Sequence, residues 1–287
     1  MDPQLRDAYL RRLGLEAEPP SLDALQRLHR RQVERVPYET MWIHMGDRWG
    51  IDPADSAARI ALRGRGGYCF HLNGAFSELL HSLGYAVTRH VGGVHGPDGP
   101  DAGELTNHLV LTVSGLPTPD HPSGVWYVDA GLGDAMFEAL PLAEGVYNQR
   151  PFRLALDRTA DGVGDWHLTH DPAGSFTGMS WRLAPASITE FEERHAWMST
   201  SPESGFVRVM TAQRREATGV VALRGLVLSR VEEGAASSED LTERDEWCAA
   251  LGDLFGLRFD GAAPDMLDAL WERTLAGHVA WDAAGRP

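Results

Sequence analysis

The sequence contains no lysine. All 26 of its basic residues are arginines, set against 41 acidic residues, for a formal net charge of −15. The missing amine excludes Schiff-base catalysis, pyridoxal phosphate attachment and a Walker-type phosphate loop, each of which needs a lysine nitrogen. The excess of negative charge excludes a nucleic-acid surface and leaves a solubilising one. Arginine in place of lysine, with abundant Ala, Gly and Asp, matches the codon usage of a GC-rich, actinomycete-like genome. Only two cysteines occur, Cys69 and Cys248. Two thiols build neither a disulfide framework nor a cysteine-rich zinc site. No run approaches the roughly 20 apolar residues of a membrane span, and residues 1–20 lack a charged-then-apolar leader pattern. A cytoplasmic protein with no membrane association is expected.

What is present is a packed globular composition, 43% hydrophobic and 23% charged over 287 residues. That length suits one large domain or two to three closely packed small ones. Residues 4–36 read as two helices broken at Pro19-Pro20, with Ser21 as N-cap of the second. Proline at 37 ends that helix, because the residue before proline is pushed out of the α region. Phe76, Leu79, Leu80 and Leu83 mark a third helix stopped at Gly84. Beyond it the period changes from 3.6 to 2. Residues 85–94, 107–113, 125–129 and 166–169 read as strands of an antiparallel sheet or small barrel. Residues 206–212 and 219–231 read as two further strands, and the chain from Ser238 onward as helical.

The chemistry is concentrated around Cys69. Paired glycines in Arg65-Gly66-Gly67-Tyr68-Cys69 permit a tight turn, and the thiol then falls at a helix N-terminus, where the dipole favours the anion. Cys248 has no such turn before it and reads as a small hydrophobe. A thiolate nucleophile needs a base and a group to orient that base. His108 opens one apolar strand and Asp129 closes another. If the two strands pair antiparallel, those ends lie side by side. The histidine pairs His90/His95 and His167/His170 lack the helical spacing and companion acid of a zinc motif, so no metal is expected.

At these residues the sequence resembles the arylamine N-acetyltransferase family. The resemblance is carried by Arg65-Gly66-Gly67-Tyr68-Cys69, Asn107-His108-Leu109 and Tyr127-Val128-Asp129-Ala130-Gly131-Leu132-Gly133. It extends nearly end to end, through Tyr9-Leu10-Arg11-Arg12-Leu13-Gly14, Val36-Pro37-Tyr38-Glu39 and the segment from Met198 to Phe206.

The resemblance implies an α+β protein with a cysteine-protease-like core. Its parts would be a helical bundle over 1–84 carrying the nucleophile, a β-barrel over 85–190 carrying His and Asp, and an α/β lid over 191–287. It implies that Cys69 takes an acetyl or other acyl group from acyl-CoA while His108 handles the proton and Asp129 orients His108. A small-molecule amine or hydrazine then receives the acyl group, in a ping-pong cycle. Tyr38, Gly93, Val94, Gly131, Leu132 and Phe206 would line the substrate cleft, and Glu39 and Arg65 would form a structural pair behind it.

Three positions depart from the family pattern. His71 stands for the usual Glu, Asn107 for Thr, and Leu132 for an aromatic, the last widening the expected acceptor pocket. Alternatives on the same triad are an amide synthase taking polyketide-type acyl chains from an acyl carrier protein, and a thiol hydrolase; an inactive binding module is a further one. Because coenzyme A is polyanionic, a chain of charge −15 would need arginines gathered locally at the cleft to receive it.

Overall fold

The computed structural model describes residues 1–96, 98–99, 105–159, 163–259 and 264–285. The amino-terminal half of its core is helical. Asp2 caps α1 (Pro3–Leu13) by accepting from the amides of Gln4 and Leu5, and Gly14 closes it at φ +68°. Ser21 accepts from Ala24 N and starts α2 (Leu22–Arg35), as its position in the sequence predicts. A two-residue strand, β1 (Tyr38–Glu39), and the short α3 (Met41–His44) follow. The helix α4 (Pro53–Arg63), capped by Asp52 with proline at its first position, is an addition to the sequence reading. Helix α5 (Cys69–Ser82) is the hub: from Cys69 to Ser77 every residue is buried. A helix apolar on all sides must be surrounded. Leu72, Ala75, Phe76, Leu79 and Leu80 of α5 share one core with Tyr9, Leu13, Leu25, Leu28 and Ile60, and with Leu111 and Val128 from the sheet beyond.

That sheet has eight strands: β2 (Ala86–His95), β3 (His108–Ser114), β4 (Trp126–Val128), β5 (Leu140–Pro141), β6 (Gly145–Gln149), β7 (Phe152–Arg158), β8 (Trp166–Thr169) and β9 (Gly178–Pro185). Their order, β5-β4-β3-β2-β9-β8-β7-β6, makes a nearly closed barrel. Its interior is filled by Tyr127, Leu154, Leu156, Trp166, Met179 and Trp181, the Tyr127 and Trp181 rings stacking at 4.8 Å. β3 and β4 pair antiparallel with Leu111 opposite Val128 and Val113 opposite Trp126. Continuing that register past Val128 brings Asp129 alongside the start of β3, where His108 sits.

After a 3-10 turn (Ile188–Phe191) come α6 (Glu192–Thr200) and the single-turn α7 (Gly205–Arg208). A second antiparallel sheet follows in the order β1-β10-β11-β12-β13, with β10 (Thr211–Arg215), β11 (Gly219–Arg224), β12 (Val227–Glu232) and β13 (Ala235–Asp240). Helices α8 (Arg244–Phe255) and α9 (Pro264–Ala283) complete the chain, and Trp247, Leu251 and Phe255 of α8 with Trp271 of α9 pack against β10–β12.

Three details correct the sequence reading. Residues 219–231 are two strands joined at Gly225 (φ +60°), not one. Phe206 lies in α7, which Ser204 caps, so the strand starts only at Thr211. Residues 235–240 are an edge strand, and helix resumes at Arg244. The lid sheet also recruits β1 from the amino-terminal segment, with Tyr38 opposite Gln213 and Glu39 opposite Ala212. The buried Arg215 clamps this sheet to the barrel by donating to the carbonyl of Gln149 (2.7 Å), and within the sheet it donates to that of Gly219 (2.9 Å). Burial lowers its pKa to about 10, with Asp134 acting in the opposite direction.

Candidate active site

Cys69 is the first residue of α5, delivered there by a turn that only glycine permits. A Cβ on Gly66 would lie 1.9 Å from the Pro37 carbonyl oxygen, and one on Gly67 (φ +145°) 2.6 Å from the Cβ of His71. The bend is pinned from behind. Glu39 N donates to Gly67 O at 3.0 Å, and the Glu39 carboxylate holds Arg65 at 2.9 Å. Glu39 is fully buried and Arg65 nearly so, hence the two form a buried ion pair and are not surface charges. Breaking such a pair strands a buried charge.

The Cys69 thiol is buried and donates at 3.5 Å to the Asn107 carbonyl oxygen. His108, the next residue, is 2% exposed and bonds through Nε2 to Asp129 Oδ2 at 2.8 Å. Its remaining nitrogen, Nδ1, is the one left for Cys69. Burial alone would lower the His108 pKa. The Asp129 charge and hydrogen bond, reinforced by a hydrogen bond and charge at Cys69, reverse that and raise it to about 10.

Asp129 is fixed by four donors. Asn73 Nδ2 (2.7 Å) and Gly131 N (2.9 Å) reach Oδ1, while His108 Nε2 and the Tyr127 hydroxyl (3.0 Å) reach Oδ2. Burial and the nearby carboxylate raise the Tyr127 pKa well above its ordinary value, so its hydroxyl keeps the proton it donates. Asn73 has a wider part: it also donates to Leu109 O at 2.6 Å and accepts from Ala130 N at 2.9 Å. It thereby ties α5 to β3 and to the turn after β4. His29 accepts from Asp129 N at 3.3 Å, which leaves Nδ1 as the donor to Phe137 O at 3.0 Å. Burial lowers its pKa and keeps it neutral in that role.

Cys69 and His108 open into a cavity of about 330 Å³. Of the cleft residues expected from sequence, Tyr38, Val94, Gly131, Leu132 and Phe206 line it. Gly93 does not; it sits in the ladder opposite Ser180, where glycine backbone serves the sheet and not the cleft. Gly131 packs so closely that a Cβ there would stand 2.8 Å from Cys69 Cα. The lining also includes Phe176, Trp197 and Gln213, with Arg194 from α6 and Arg224 at the end of β11. Sequence reasoning passed over these five because they come from loops and lid elements whose approach to Cys69 only the tertiary fold sets. Asn73 was more legible, since it stands one helical turn after Cys69 on the same face.

A cluster of rings backs the nucleophile. Phe206 stacks on Tyr68 at 5.4 Å and 10°, and the Tyr68 hydroxyl hydrogen-bonds His195 Nδ1 from α6. His195 Nε2 in turn donates to Trp49 O at 2.8 Å. His71 lies in the same cluster, edge-on to Trp42, Trp49 and Tyr68. Neither of its ring nitrogens makes a hydrogen bond of normal geometry among the described residues. Burial first, then the charges of Arg59 and His195, hold its pKa well below the ordinary value, and an approach to the Gly50 carbonyl offsets only a small part. Cys248 is far from this chemistry in sequence and setting: it is partly buried on α8, and burial raises its pKa. Among the described residues no group of three or more potential metal ligands occurs, and no helix is long and apolar enough to cross a membrane.

Comparison with known proteins places these features in context. A sequence model described as N-acetyltransferase matches residues 21–263. The pineal gland isozyme NAT-3 arylamine N-acetyltransferase of Gallus gallus is 26% identical over 250 residues, covering 80% of this chain and 83% of its own. Arylamine N-acetyltransferase 1 of Homo sapiens is 26% identical over 259 residues, covering 83% and 87%. Among solved structures, the Mycobacterium marinum arylamine N-acetyltransferase in complex with CoA superposes with a TM-score of 0.81 at 26% identity, over 94% of this chain and 98% of that one. The Nocardia farcinica arylamine N-acetyltransferase gives 0.79 at 28% identity, over 94% and 95%.

Proposed function

The chain belongs to the arylamine N-acetyltransferase family, and from that premise we propose that it moves an acetyl group from acetyl-CoA to an arylamine or hydrazine nitrogen through a thioester on Cys69. The observation that carries the mechanism is the buried Asp129–His108 hydrogen bond, with Cys69 and His108 together at the wall of one cavity. Supporting the donor is the bound CoA in the Mycobacterium marinum relative. No metal takes part in this reading.

A His108 pKa raised to about 10 means that at neutral pH the imidazole holds a proton. In our reading that proton comes from Cys69, so the resting site is a thiolate beside an imidazolium. Helix α5 adds the positive end of its dipole at the sulfur. The thiolate attacks the thioester carbonyl carbon of acetyl-CoA, forming the Cys69–acetyl bond and breaking the bond from acetyl to the CoA sulfur. His108 gives its proton to the departing CoA thiolate. The arylamine nitrogen then attacks the acetyl carbon on Cys69, the carbon–sulfur bond breaks, and neutral His108 takes the proton that the nitrogen loses. Thiolate and imidazolium are restored. Asp129 orients His108 and stabilises its charged form.

The exchange between thioesters is nearly balanced, and amide formation drives the second half. The protein's contribution is the ready thiolate, the aligned histidine and a ring-lined cavity that positions the two substrates. We further propose the three-part organisation of helical bundle, barrel and lid over 1–84, 85–190 and 191–287, with β1 as the strand that the first part lends to the third. A cavity of about 330 Å³ suits a small amine. A polyketide chain presented by an acyl carrier protein finds no comparable support.

The test is the intact mass of the protein after mixing with acetyl-CoA and no acceptor. One acetyl adduct on the wild type, absent from Cys69→Ala and discharged by an arylamine, is the expected result. A folded protein with an alkylatable Cys69 that gains no adduct overturns the acetyl-CoA reading.

A further inference from the structure

The charge inside the cavity runs opposite to the charge of the chain. No acidic residue among the described residues lines it, yet two arginines do, Arg194 and Arg224. Neither makes an ion pair among the described residues, although several arginines elsewhere are paired, including Arg27, Arg30, Arg65, Arg89 and Arg214. Arg194 is held in place without being neutralised. Its guanidinium lies 4.6 Å over the Trp197 ring, and its Nε is buried with no hydrogen-bond partner among the described residues. A buried guanidinium N–H left unmatched is costly, and an anion supplies what it lacks. Arg224 follows β11 to its end, opposite Thr211 of β10, which also lines the cavity. Its positive charge is felt at the half-buried Tyr38 hydroxyl, which also senses Cys69 and, more weakly, Asp134.

We propose that Arg194 and Arg224 select acceptors that carry a carboxylate or comparable anionic group on the aromatic ring, so that the preferred amine is an anionic arylamine. This deepens the acetyl-transfer reading and rests on it. The Cys69–His108 pair contributes no net charge before acetylation, as thiolate and imidazolium, and none afterwards, as thioester and neutral imidazole. The two guanidinium charges therefore meet no carboxylate among the described residues of the cavity wall when the acceptor enters. An acceptor must keep its nitrogen lone pair free to attack, so the group that pairs with the arginines sits elsewhere on the ring. Phe176, Trp197 and Phe206 offer ring faces and edges to the aromatic body between the two. The same anion recognition could be spent instead on the phosphates of the CoA donor, and the two half-reactions separate these sources.

The experiment isolates the second half-reaction. Acetyl-enzyme is prepared with acetyl-CoA, freed of CoA by desalting and mixed in single turnovers with 4-aminobenzoate, aniline or methyl 4-aminobenzoate. We expect wild-type deacetylation by 4-aminobenzoate to exceed that by aniline by about tenfold or more at low ionic strength, with the ratio falling as salt is added. Arg194→Gln and Arg224→Gln each reduce the ratio by about fivefold, and Arg194→Lys and Arg224→Lys, which restore charge without the planar fork, recover part of it. An unchanged ratio in both Gln variants overturns the proposal. So does an effect confined to the first half-reaction, read as a changed KM for acetyl-CoA alone, which would assign the arginines to the donor. Failure of acetyl-CoA to label Cys69 counts against the donor reading and not this one; 4-nitrophenyl acetate then supplies the acetyl-enzyme and the same ratio is measured.

Discussion

Two buried histidines stand at the first turn of α5, and their surroundings differ in one respect. His71 is inside that turn, walled by Trp42, Trp49 and Tyr68 and facing the charge of Arg59. His108 comes from β3 and meets the carboxylate of Asp129. Both are almost wholly removed from water. Burial pushes both toward the neutral form, yet His71 ends far below the ordinary histidine value and His108 near 10. The difference lies in the partners, not the depth: the fixed Asp129 carboxylate, itself held by four donors, together with Cys69 outweighs the desolvation that decides the other case. The protein thus keeps one protonatable and one neutral imidazole around the helix turn that carries Cys69.

That contrast has opposite consequences for stability against pH. A pKa raised above the ordinary 6.5 to about 10 gives His108 a stabilising contribution that is complete below 6.5 and is lost as pH climbs toward 10. A lowered pKa gives His71 the reverse: stability complete above 6.5 and lost as pH falls below it. His29, His44, His90 and His195, also shifted down by burial, act in the same sense as His71.

The contrast breaks most completely at Asp129. Asp129→Asn removes the charge that separates the two histidines, and we expect kcat/KM to fall by roughly 10³- to 10⁴-fold. Iodoacetamide labelling of Cys69 across pH checks the cause: the pH at which His108 ceases to support the thiolate moves down, and the alkaline loss of stability between 6.5 and 10 flattens. Asn73→Ala is next. It leaves the charge but takes one donor from Asp129 Oδ1 and strands Leu109 O and Ala130 N, at a cost of about 2–3 kcal/mol in urea unfolding. Activity should fall far less than in Asp129→Asn, because Gly131, Tyr127 and His108 still hold the carboxylate. The smallest effect sharpens the other side. His71→Phe keeps a ring in the cluster and removes the site that protonates on unfolding, so the slope of stability below pH 6.5 should decrease by up to about 1.4 kcal/mol per pH unit. An unchanged slope in urea melts at pH 5 to 6.5 would place the acid sensitivity on the other buried histidines.

Much of this arrangement is legible in the sequence, and the divide follows the range of the interactions. Local signals held: Ser21 caps α2, Gly66 and Gly67 form the turn, Cys69 opens its helix, and strand alternation brings His108 to Asp129. The hairpin at Gly225 was missed because Val220 to Leu223 and Leu226 to Leu228 are both apolar, and Arg224-Gly225 between them is too short a break to read as a turn. β13 was missed because Ala235-Ala236-Ser237-Ser238 has little β preference; as an exposed edge strand it pairs on one side, with β12. Arg194, Arg224 and the Tyr68–His195 bond depend on how the lid elements meet the helices, and no pattern within either segment announces it.

The two residues of β1 carry a consequence for how the molecule is made. Tyr38 and Glu39 pair with Gln213 and Ala212, Thr40 N donates to Thr211 O at 2.9 Å, and Thr211 N returns a bond to Thr40 Oγ1 at 2.9 Å. Glu39 in turn braces the turn that presents Cys69. On a ribosome the nucleophile therefore emerges some 140 residues before the strand that anchors its support. Such far-reaching contacts form late and slowly. Until β10 has been synthesised and docked, the nascent chain carries its thiol without the strand that anchors this brace, so the lid sheet and the support of the nucleophile are completed together.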